Sequence, residues 1–337
     1  MAAPRAAILG VAGLRLTAPE RAFLREADPW GLILFERNVG DPAQLSALTA
    51  ELREALGRDA PIFTDQEGGR VQRLAPPHWP RWEEAGTMIA GLDPEAAEEA
   101  MALRFRLIAE DLRAVGIDAD CAPVLDLALS GADPIIGARA VSDNPERVGR
   151  LGRAARRGLA AGGVRPVIKH IPGHGRAGVD SHLALPVVAA DRETLAATDF
   201  APFRANADAA MAMTAHVIYA AIDPERCATL SPAVIGLVRQ EIGFGGLLMT
   251  DDLSMGALSG PMRARAEAAL AAGCDIVLHC NGDSAEAAAV MEAAPALSGA
   301  ALSRAEAASR PLAPEAGFDA AAARARIAAL KGRDAIA

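Results

Sequence analysis

Short apolar runs alternate with longer amphipathic segments along almost the whole chain. Apolar runs of four to eight residues are typical of buried strands, whereas apolar residues that recur every three or four positions indicate helices. This pattern predicts eight strands, the fifth beginning at Val167 and the others at residues 6–12, 31–35, 61–64, 117–127, 210–216, 246–250 and 275–279.

Helices are predicted between the strands from capping residues and apolar periodicity. Thr17, Asp41, Asn144 and Ser231 stand where N-caps are expected, and the last three are followed directly by proline, which favours the first helical turn. The predicted helices cover residues 17–27, 41–57, 93–115, 144–162, 192–207, 231–243 and 262–272, with two Ala-rich helices at the end of the chain.

Strands that alternate with helices, without a break in composition, predict an α/β protein. We expect a single (β/α)8 TIM-type barrel formed by one domain, residues 1–337. A doubly wound open sheet is the alternative, but no Gly-x-Gly-x-x-Gly motif follows the first strand.

Composition limits the partners and the compartment. The 337 residues carry a net charge of -9, which argues against a nucleic-acid surface because binding to phosphates requires clustered Lys and Arg. The four cysteines form no Cys-x-x-Cys pair and indicate reduced thiols, and the apolar start is too short to cross a membrane. A cytoplasmic protein that acts as a monomer is expected, with no nucleic-acid or membrane partner.

Polar side chains cluster where the predicted strands end. In a barrel these ends open on one face, so residues distant in sequence are expected to line one pocket. The residues concerned are Asp65, Arg73, Asp126, Lys169, His170, His216 and Asp251. Because neighbouring strand residues point to opposite sides, only one of Asp251 and Asp252 is expected to face the pocket, and the other to cap a turn. His216 is equally consistent with a hydrogen-bonded core histidine.

The richest of these strand ends continues into a Gly-rich loop that contains Asp180 and His182. A carboxylate two residues before an imidazole is close enough to bind it and to fix its tautomer. Such a pair is suited to moving protons near neutral pH.

Three classes of function remain open from the residues alone. A metal hydrolase would use His170, His174, His182 and His216 as ligands beside Asp251, although no compact His-x-His or His-Glu-x-x-His motif is present. A metal-free glycosidase would use a carboxylate nucleophile and a separate proton donor. A barrel that only binds a ligand is the third class.

Several longer motifs together resemble the bacterial β-N-acetylhexosaminidases of glycoside hydrolase family 3, of the peptidoglycan-recycling type. They occur in family order between about residues 30 and 280. The motifs are Asp65-Gln-Glu-Gly-Gly-Arg-Val-Gln-Arg73, Lys169-His-Ile-Pro-Gly-His-Gly175, Asp180-Ser-His182, Ala215-His-Val-Ile-Tyr219 and Thr250-Asp-Asp-Leu-Ser-Met255.

The resemblance implies a retaining enzyme that needs no cofactor or metal. It would remove terminal β-1,4-linked N-acetylglucosamine from 1,6-anhydro-muropeptides during cell-wall recycling. Asp251 would be the nucleophile, and His182, paired with Asp180, the acid/base. A family 3 phosphorylase would use the same nucleophile and remains an alternative.

The resemblance also implies which residues contact the substrate, namely Asp65, Arg73, Arg139, Lys169 and His170. Ala140 is a departure from the family pattern, because relatives often have a serine at this position. The resemblance implies that the missing serine weakens a hydrogen bond to the sugar and removes no catalytic group.

Overall fold

The computed structural model describes residues 3–130, 133 and 136–332. Within these residues eight strands form a barrel, namely β1 (Arg5–Gly10), β2 (Pro29–Leu34), β3 (Ile62–Thr64), β4 (Ala119–Asp120), β5 (Arg165–Ile171), β6 (Met211–Thr214), β7 (Leu247–Asp252) and β8 (Ile276–His279). All neighbours are parallel, and the barrel closes in the order β1-β8-β7-β6-β5-β4-β3-β2. The predicted (β/α)8 architecture is therefore confirmed.

Helices connect the strands and continue after β8. They are α1 (Ala18–Ala27), α2 (Pro42–Leu56), α3 (Ala85–Met88), α4 (Pro94–Ala114), α5 (Pro145–Ala161), α6 (Arg192–Ala197), α7 (Ala201–Arg204), α8 (Pro232–Gln240), α9 (Met262–Ala272), α10 (Ser284–Ala293), α11 (Gly299–Ala308) and α12 (Ala320–Leu330). No helix in the described part of the chain combines the length and the apolar character that crossing a bilayer requires.

The four predicted N-caps are confirmed. Thr17 forms a full capping box with Glu20, and the side chains of Asp41, Asn144 and Ser231 accept hydrogen bonds from main-chain N–H groups of the first turn. These bonds satisfy donors that have no partner within the helix, and so they fix where each helix begins.

Three predicted elements differ from the structure, each because of proline. The helix predicted at residues 192–207 is split into α6 and α7, since Pro202 lacks the N–H that a continuous helix would need. The strand predicted at 117–127 is only two residues long and stops before Pro123. The end of the chain forms three helices rather than two, and Pro295 and Pro311 lie in the connections.

The core has two parts because successive strand residues point to opposite sides. Ile33 and Phe63 belong to an inner cluster with Met213 and Leu278, whereas residues such as Leu32 pack with the surrounding helices. The inner cluster also contains Ala305 of α11, so this helix closes the amino-terminal end of the barrel. The opposite end stays open.

Candidate active site

The open end of the barrel holds a cavity of about 380 Å³, a volume in the range of small-ligand sites. All eight residues predicted to act in catalysis or substrate binding line it: Asp65, Arg73, Arg139, Lys169, His170, Asp180, His182 and Asp251. They lie at the carboxyl ends of four different barrel strands or in the loops that follow these strands, which is why they are far apart in sequence.

A network of buried ion pairs forms one side of the cavity. Lys169 Nζ donates to Asp65 Oδ1 at 2.9 Å and lies 2.6 Å from Glu67 Oε1. Arg73 Nη2 donates to Asp65 Oδ2 at 2.9 Å, and Arg139 binds Glu67 through two hydrogen bonds of 2.8 Å. Each cationic side chain is thereby held in one orientation.

The pKa values of this network favour its charged forms. Burial raises the pKa of Glu67, but Arg139 and Lys169 outweigh this effect and bring the pKa down to about 2. Burial lowers the pKa of Lys169, and the carboxylates of Asp65 and Glu67 outweigh it, so that the pKa is raised. The cations and anions of the network are all ionised at neutral pH.

Asp251 lies at the end of β7, where the strand leaves the core. Its main-chain N–H donates to Thr214 Oγ1 at 3.4 Å, and its Oδ1 accepts the N–H of Asp252 at 2.8 Å. Burial raises the pKa of Asp251, but His170 and His216 outweigh burial, and the pKa lies below its ordinary value. The carboxylate is therefore available as an anion, the form that attacks an electrophilic carbon.

The prediction for Asp252 is half correct. Its carboxylate caps the turn after β7, accepting the N–H and hydroxyl of Ser254 at 3.0 and 2.5 Å, as predicted. It also lines the cavity, so the expectation that only one of the two aspartates would do so is wrong. The register of β7 against β8 shifts between Met249 and Asp252, and regular alternation of side chains does not hold there.

Asp126 is buried and does not line the cavity. Its Oδ2 lies 2.6 Å from His170 Nδ1, and its Oδ1 accepts the main-chain N–H of His174 at 2.7 Å. Burial raises the pKa of Asp126, but His170 outweighs it and the pKa is lowered. Asp126 thus orients the ring of His170 from behind.

Residues 173–183, which we call the histidine loop, carry the Asp180–His182 pair at the mouth of the cavity. His182 Nδ1 lies 2.8 Å from Asp180 Oδ1, as the spacing predicted, and the side chain of His182 is 57% exposed. Burial raises the pKa of Asp180, but the main-chain N–H and the ring of His182 outweigh it and lower the pKa. With Nδ1 directed to a carboxylate, Nε2 is the ring nitrogen left for proton transfer.

The histidine loop is attached to residues 253–258, the β7 loop that follows Asp251. Gly256 N–H donates to the carbonyl of His182 and Ala257 N–H to that of Ser181, both at 3.1 Å. The loop that follows the candidate nucleophile and the loop that carries the candidate proton donor are therefore in direct main-chain contact.

His216 is a buried core histidine and does not line the cavity. Its Nδ1 lies 2.7 Å from Thr229 Oγ1 and its Nε2 lies 3.0 Å from the carbonyl of Asp252. Among the residues that the structure describes, no three His, Cys, Asp or Glu side chains are grouped as a metal site would require. The ligand set considered for a metal hydrolase is therefore not assembled.

Glu67 and Phe35 are among the side chains of the site that received no role from the sequence. Glu67 lies within a quoted motif, but its contact with Arg139 joins residues 72 positions apart. Phe35 follows β2 and contacts Arg73, whose guanidinium carbon lies 5.1 Å from the ring centre. Phe35 could have been predicted as a site residue because it is an aromatic residue at the end of a strand. Ala140, the departure from the family pattern, is buried and is not among the lining residues.

Comparison with known proteins gives consistent matches over most of the chain. Residues 6–310 match the family "Glycosyl hydrolase family 3 N terminal domain". A beta-hexosaminidase of Alkalilimnicola ehrlichii is 43% identical over 282 residues, which cover 81% of this chain and 80% of that protein. A beta-hexosaminidase of Pseudomonas aeruginosa is 40% identical over 277 residues, covering 81% and 82%.

Solved structures agree with these relatives. Native NagZ from Neisseria gonorrhoeae has a TM-score of 0.87 at 34% identity, with 98% of both chains covered, and the same values hold for its complex with N-trifluoroacetyl-D-glucosamine. A glycoside hydrolase family 3 beta-N-acetylglucosaminidase from Paenibacillus has a TM-score of 0.81 at 32% identity, covering 98% of this chain and 63% of that one. The chain belongs to glycosyl hydrolase family 3, and the glycoside hydrolase predicted from its motifs is confirmed.

Proposed function

We propose that this enzyme is a retaining exo-β-N-acetylglucosaminidase that acts by double displacement. The observation that carries the proposal is the single cavity lined both by the Asp251 carboxylate and by the Asp180–His182 pair. The activity named for its relatives, and the N-trifluoroacetyl-D-glucosamine bound to one solved neighbour, support the same substrate class.

In the first step Asp251 attacks the anomeric carbon while His182 donates a proton to the leaving oxygen. In the second step His182 takes a proton from water, which releases the sugar from the glycosyl-aspartate. The lowered pKa of Asp251 suits the first role. The hydrogen bond that Asp180 accepts from His182 Nδ1 suits His182 as acid and base, because a carboxylate beside an imidazole stabilises the imidazolium form.

The remaining lining residues would bind the sugar. Lys169, His170 and Asp65 offer donors and acceptors whose orientations are already fixed by their partners, and Arg73 and Arg139 add fixed cationic groups. Side chains that are held in place before the substrate arrives lose little entropy on binding.

We further propose that the natural substrate is a 1,6-anhydro-muropeptide, that the enzyme works in the cytoplasm in cell-wall recycling, and that it needs no metal. Support for the muropeptide comes from the family motifs, and the exposure of the His182 side chain leaves room for a large leaving group beside the proposed proton donor.

The decisive experiment is product analysis with a chromogenic N-acetylglucosaminide, with and without inorganic phosphate. We expect free N-acetylglucosamine, released first as the β anomer, at a rate that neither phosphate nor EDTA changes. A sugar phosphate would instead identify a phosphorylase, and EDTA inhibition reversed by metal would identify a metal hydrolase. Asp251→Asn should lower kcat by about 10⁴-fold or more in a folded protein, and unimpaired turnover would contradict the nucleophile assignment.

A further inference from the structure

His174 lies near the start of the histidine loop, where it lines the inner part of the cavity and is only 2% exposed. Its main-chain N–H donates to Asp126 at 2.7 Å, and its ring Nε2 lies 3.0 Å from Ser181 Oγ. Ser181 is itself 3% exposed and stands between Asp180 and His182. One buried hydrogen bond therefore connects the floor of the site to the residue between the two members of the acid/base pair.

The ring of His174 is neutral in the folded protein. Burial, and then the neighbouring His170, lower its pKa to about 4. Among the described residues its Nδ1 has no hydrogen-bond partner, so that the contact with Ser181 is the ring's one polar interaction there. Burying a histidine ring is costly unless it is hydrogen-bonded, so the bond to Ser181 is the interaction that offsets this cost.

Ser181 is thus held from two sides. Its carbonyl accepts a hydrogen bond from the N–H of Ala257 in the β7 loop, and its hydroxyl is hydrogen-bonded to His174 Nε2. The main-chain bond fixes where this part of the histidine loop lies relative to Asp251. The side-chain bond limits how far the loop can rotate about that attachment, and the rotation would carry the ring of His182 with it.

We propose that His174 is a positioning residue, which holds Ser181 so that the ring of His182 stays directed at the bond to be cleaved. This inference rests on the proposed function of His182 as proton donor. It assigns to His174 no contact with substrate and no proton transfer of its own.

The test compares Ser181→Ala and His174→Phe on two N-acetylglucosaminides, one with a good aryl leaving group and one with an alkyl or sugar leaving group. Departure of a poor leaving group requires protonation of its oxygen, whereas a good leaving group departs almost without protonation. We expect kcat/KM to fall on the order of tenfold for the poor leaving group and less than about twofold for the good one.

Three further variants separate positioning from general weakening of the fold. Ser181→Thr keeps a hydroxyl and should recover most of the loss. Ser231→Ala is the matched control, because Ser231 is a buried serine whose hydroxyl donates to Asp223 at 2.7 Å, away from the cavity. It should lower thermal stability without changing the ratio between the two substrates. The double variant of Ser181→Ala and His174→Phe should lose no more than the worse single variant, because both remove one interaction.

Equal losses on both substrates, an unaffected Ser181→Ala enzyme, or additive losses in the double variant would each overturn the positioning role. These outcomes differ from failure of the proposed function, in which the unaltered enzyme would release no N-acetylglucosamine from either substrate.

Discussion

At the scale of single residues, the site depends on partners that fix each functional side chain. The Asp180–His182 contact was predictable because its members are two residues apart and a short loop brings them together. Glu67 was not assigned a role, since its partners Lys169 and Arg139 approach it only after the barrel closes. Local contacts can be predicted from sequence, whereas contacts between distant loops require the fold.

The proton donor gives a residue-scale prediction. His182→Ala should reduce kcat/KM by about 10²-fold or more for substrates with poor leaving groups, and far less for aryl glycosides with good ones, because general acid catalysis matters most for the former. Steady-state kinetics on a leaving-group series measures this. His78→Ala, which removes an exposed histidine outside the cavity, is the control. Equal losses across the series would argue against proton donation.

Asp120 gives a second residue-scale prediction, concerning stability. It is fully buried at the end of β4, where its Oδ1 accepts the N–H of Gln66 at 2.9 Å. Burial raises the pKa of Asp120 to about 8, although the Gln66 N–H and Lys169 act against it. The folded protein thus keeps a proton that the unfolded chain loses above about pH 4, and the free energy of unfolding falls as pH rises from about 4 to 8.

Asp120→Asn removes this titration. Relative to the unaltered protein, the variant should therefore gain unfolding free energy between pH 5 and pH 8. Urea denaturation at the two pH values measures the change. A difference between the two proteins that does not depend on pH would contradict the raised pKa.

At the scale of elements, a short antiparallel pair of strands, Gln66–Gly68 and Val71–Gln72, carries Glu67 into the ion-pair network. Gly68 has a φ of 96°, and a Cβ at this position would lie 1.9 Å from Arg104 Nη2. Arg104 is fully buried and donates to the carbonyl of Glu67 at 2.8 Å. The absence of a side chain at Gly68 therefore makes room for the arginine that supports this pair of strands.

Gly68→Ala should lower the free energy of unfolding by about 3 kcal/mol or more, because it combines an unfavourable φ with displacement of a buried charge. It should also lower kcat/KM. Gly57→Ala is a matched control. Its φ is 65°, but no atom lies within 4 Å of the added Cβ. Gly57→Ala should lower the free energy of unfolding by about 1 kcal/mol and leave kcat/KM unchanged. Urea unfolding and hydrolysis rates measure both effects, and equal costs in the two variants would refute the role of Arg104.

The boundaries of elements were predicted well where the determinants are local. Thr17 and Glu20 form their capping box within one turn, and α9 begins and ends at the predicted residues, Met262 and Ala272. The helix predicted at residues 192–207 was wrong, although Pro202 stood within it, because the periodicity continued across the break. Apolar period indicates which face is buried, not whether the backbone can continue.

At the scale of the whole molecule, the two ends of the barrel have different tasks. The open end carries the cavity, and α11 closes the other end. The alternation of strands and helices predicted the barrel, but an Ala-rich helix such as α11 carries no pattern that could reveal its position beneath it. An experiment can distinguish the contribution of the closed end to stability from the contribution of the open end to catalysis.

Asp275 at the closed end provides this test. It accepts hydrogen bonds from Arg239 at 2.7 Å, Arg304 of α11 at 2.9 Å and the N–H of Leu248 at 2.9 Å. Asp275→Ala leaves these donors unpaired and should lower the free energy of unfolding by about 3 kcal/mol. We expect kcat/KM below the unfolding temperature to be unchanged, the reverse of the pattern for Asp251→Asn. A large loss of kcat/KM in folded Asp275→Ala would show that the ends are coupled.

The contact between the histidine loop and the β7 loop limits how this chemistry can be moved to another scaffold. A designer who transplants the proton donor alone would leave the carbonyls of Ser181 and His182 without their donors, Ala257 and Gly256. Position 256 must also stay glycine, because a Cβ there would lie 2.6 Å from the carbonyl oxygen of His182. The two segments form one cassette, to be exchanged together or not at all.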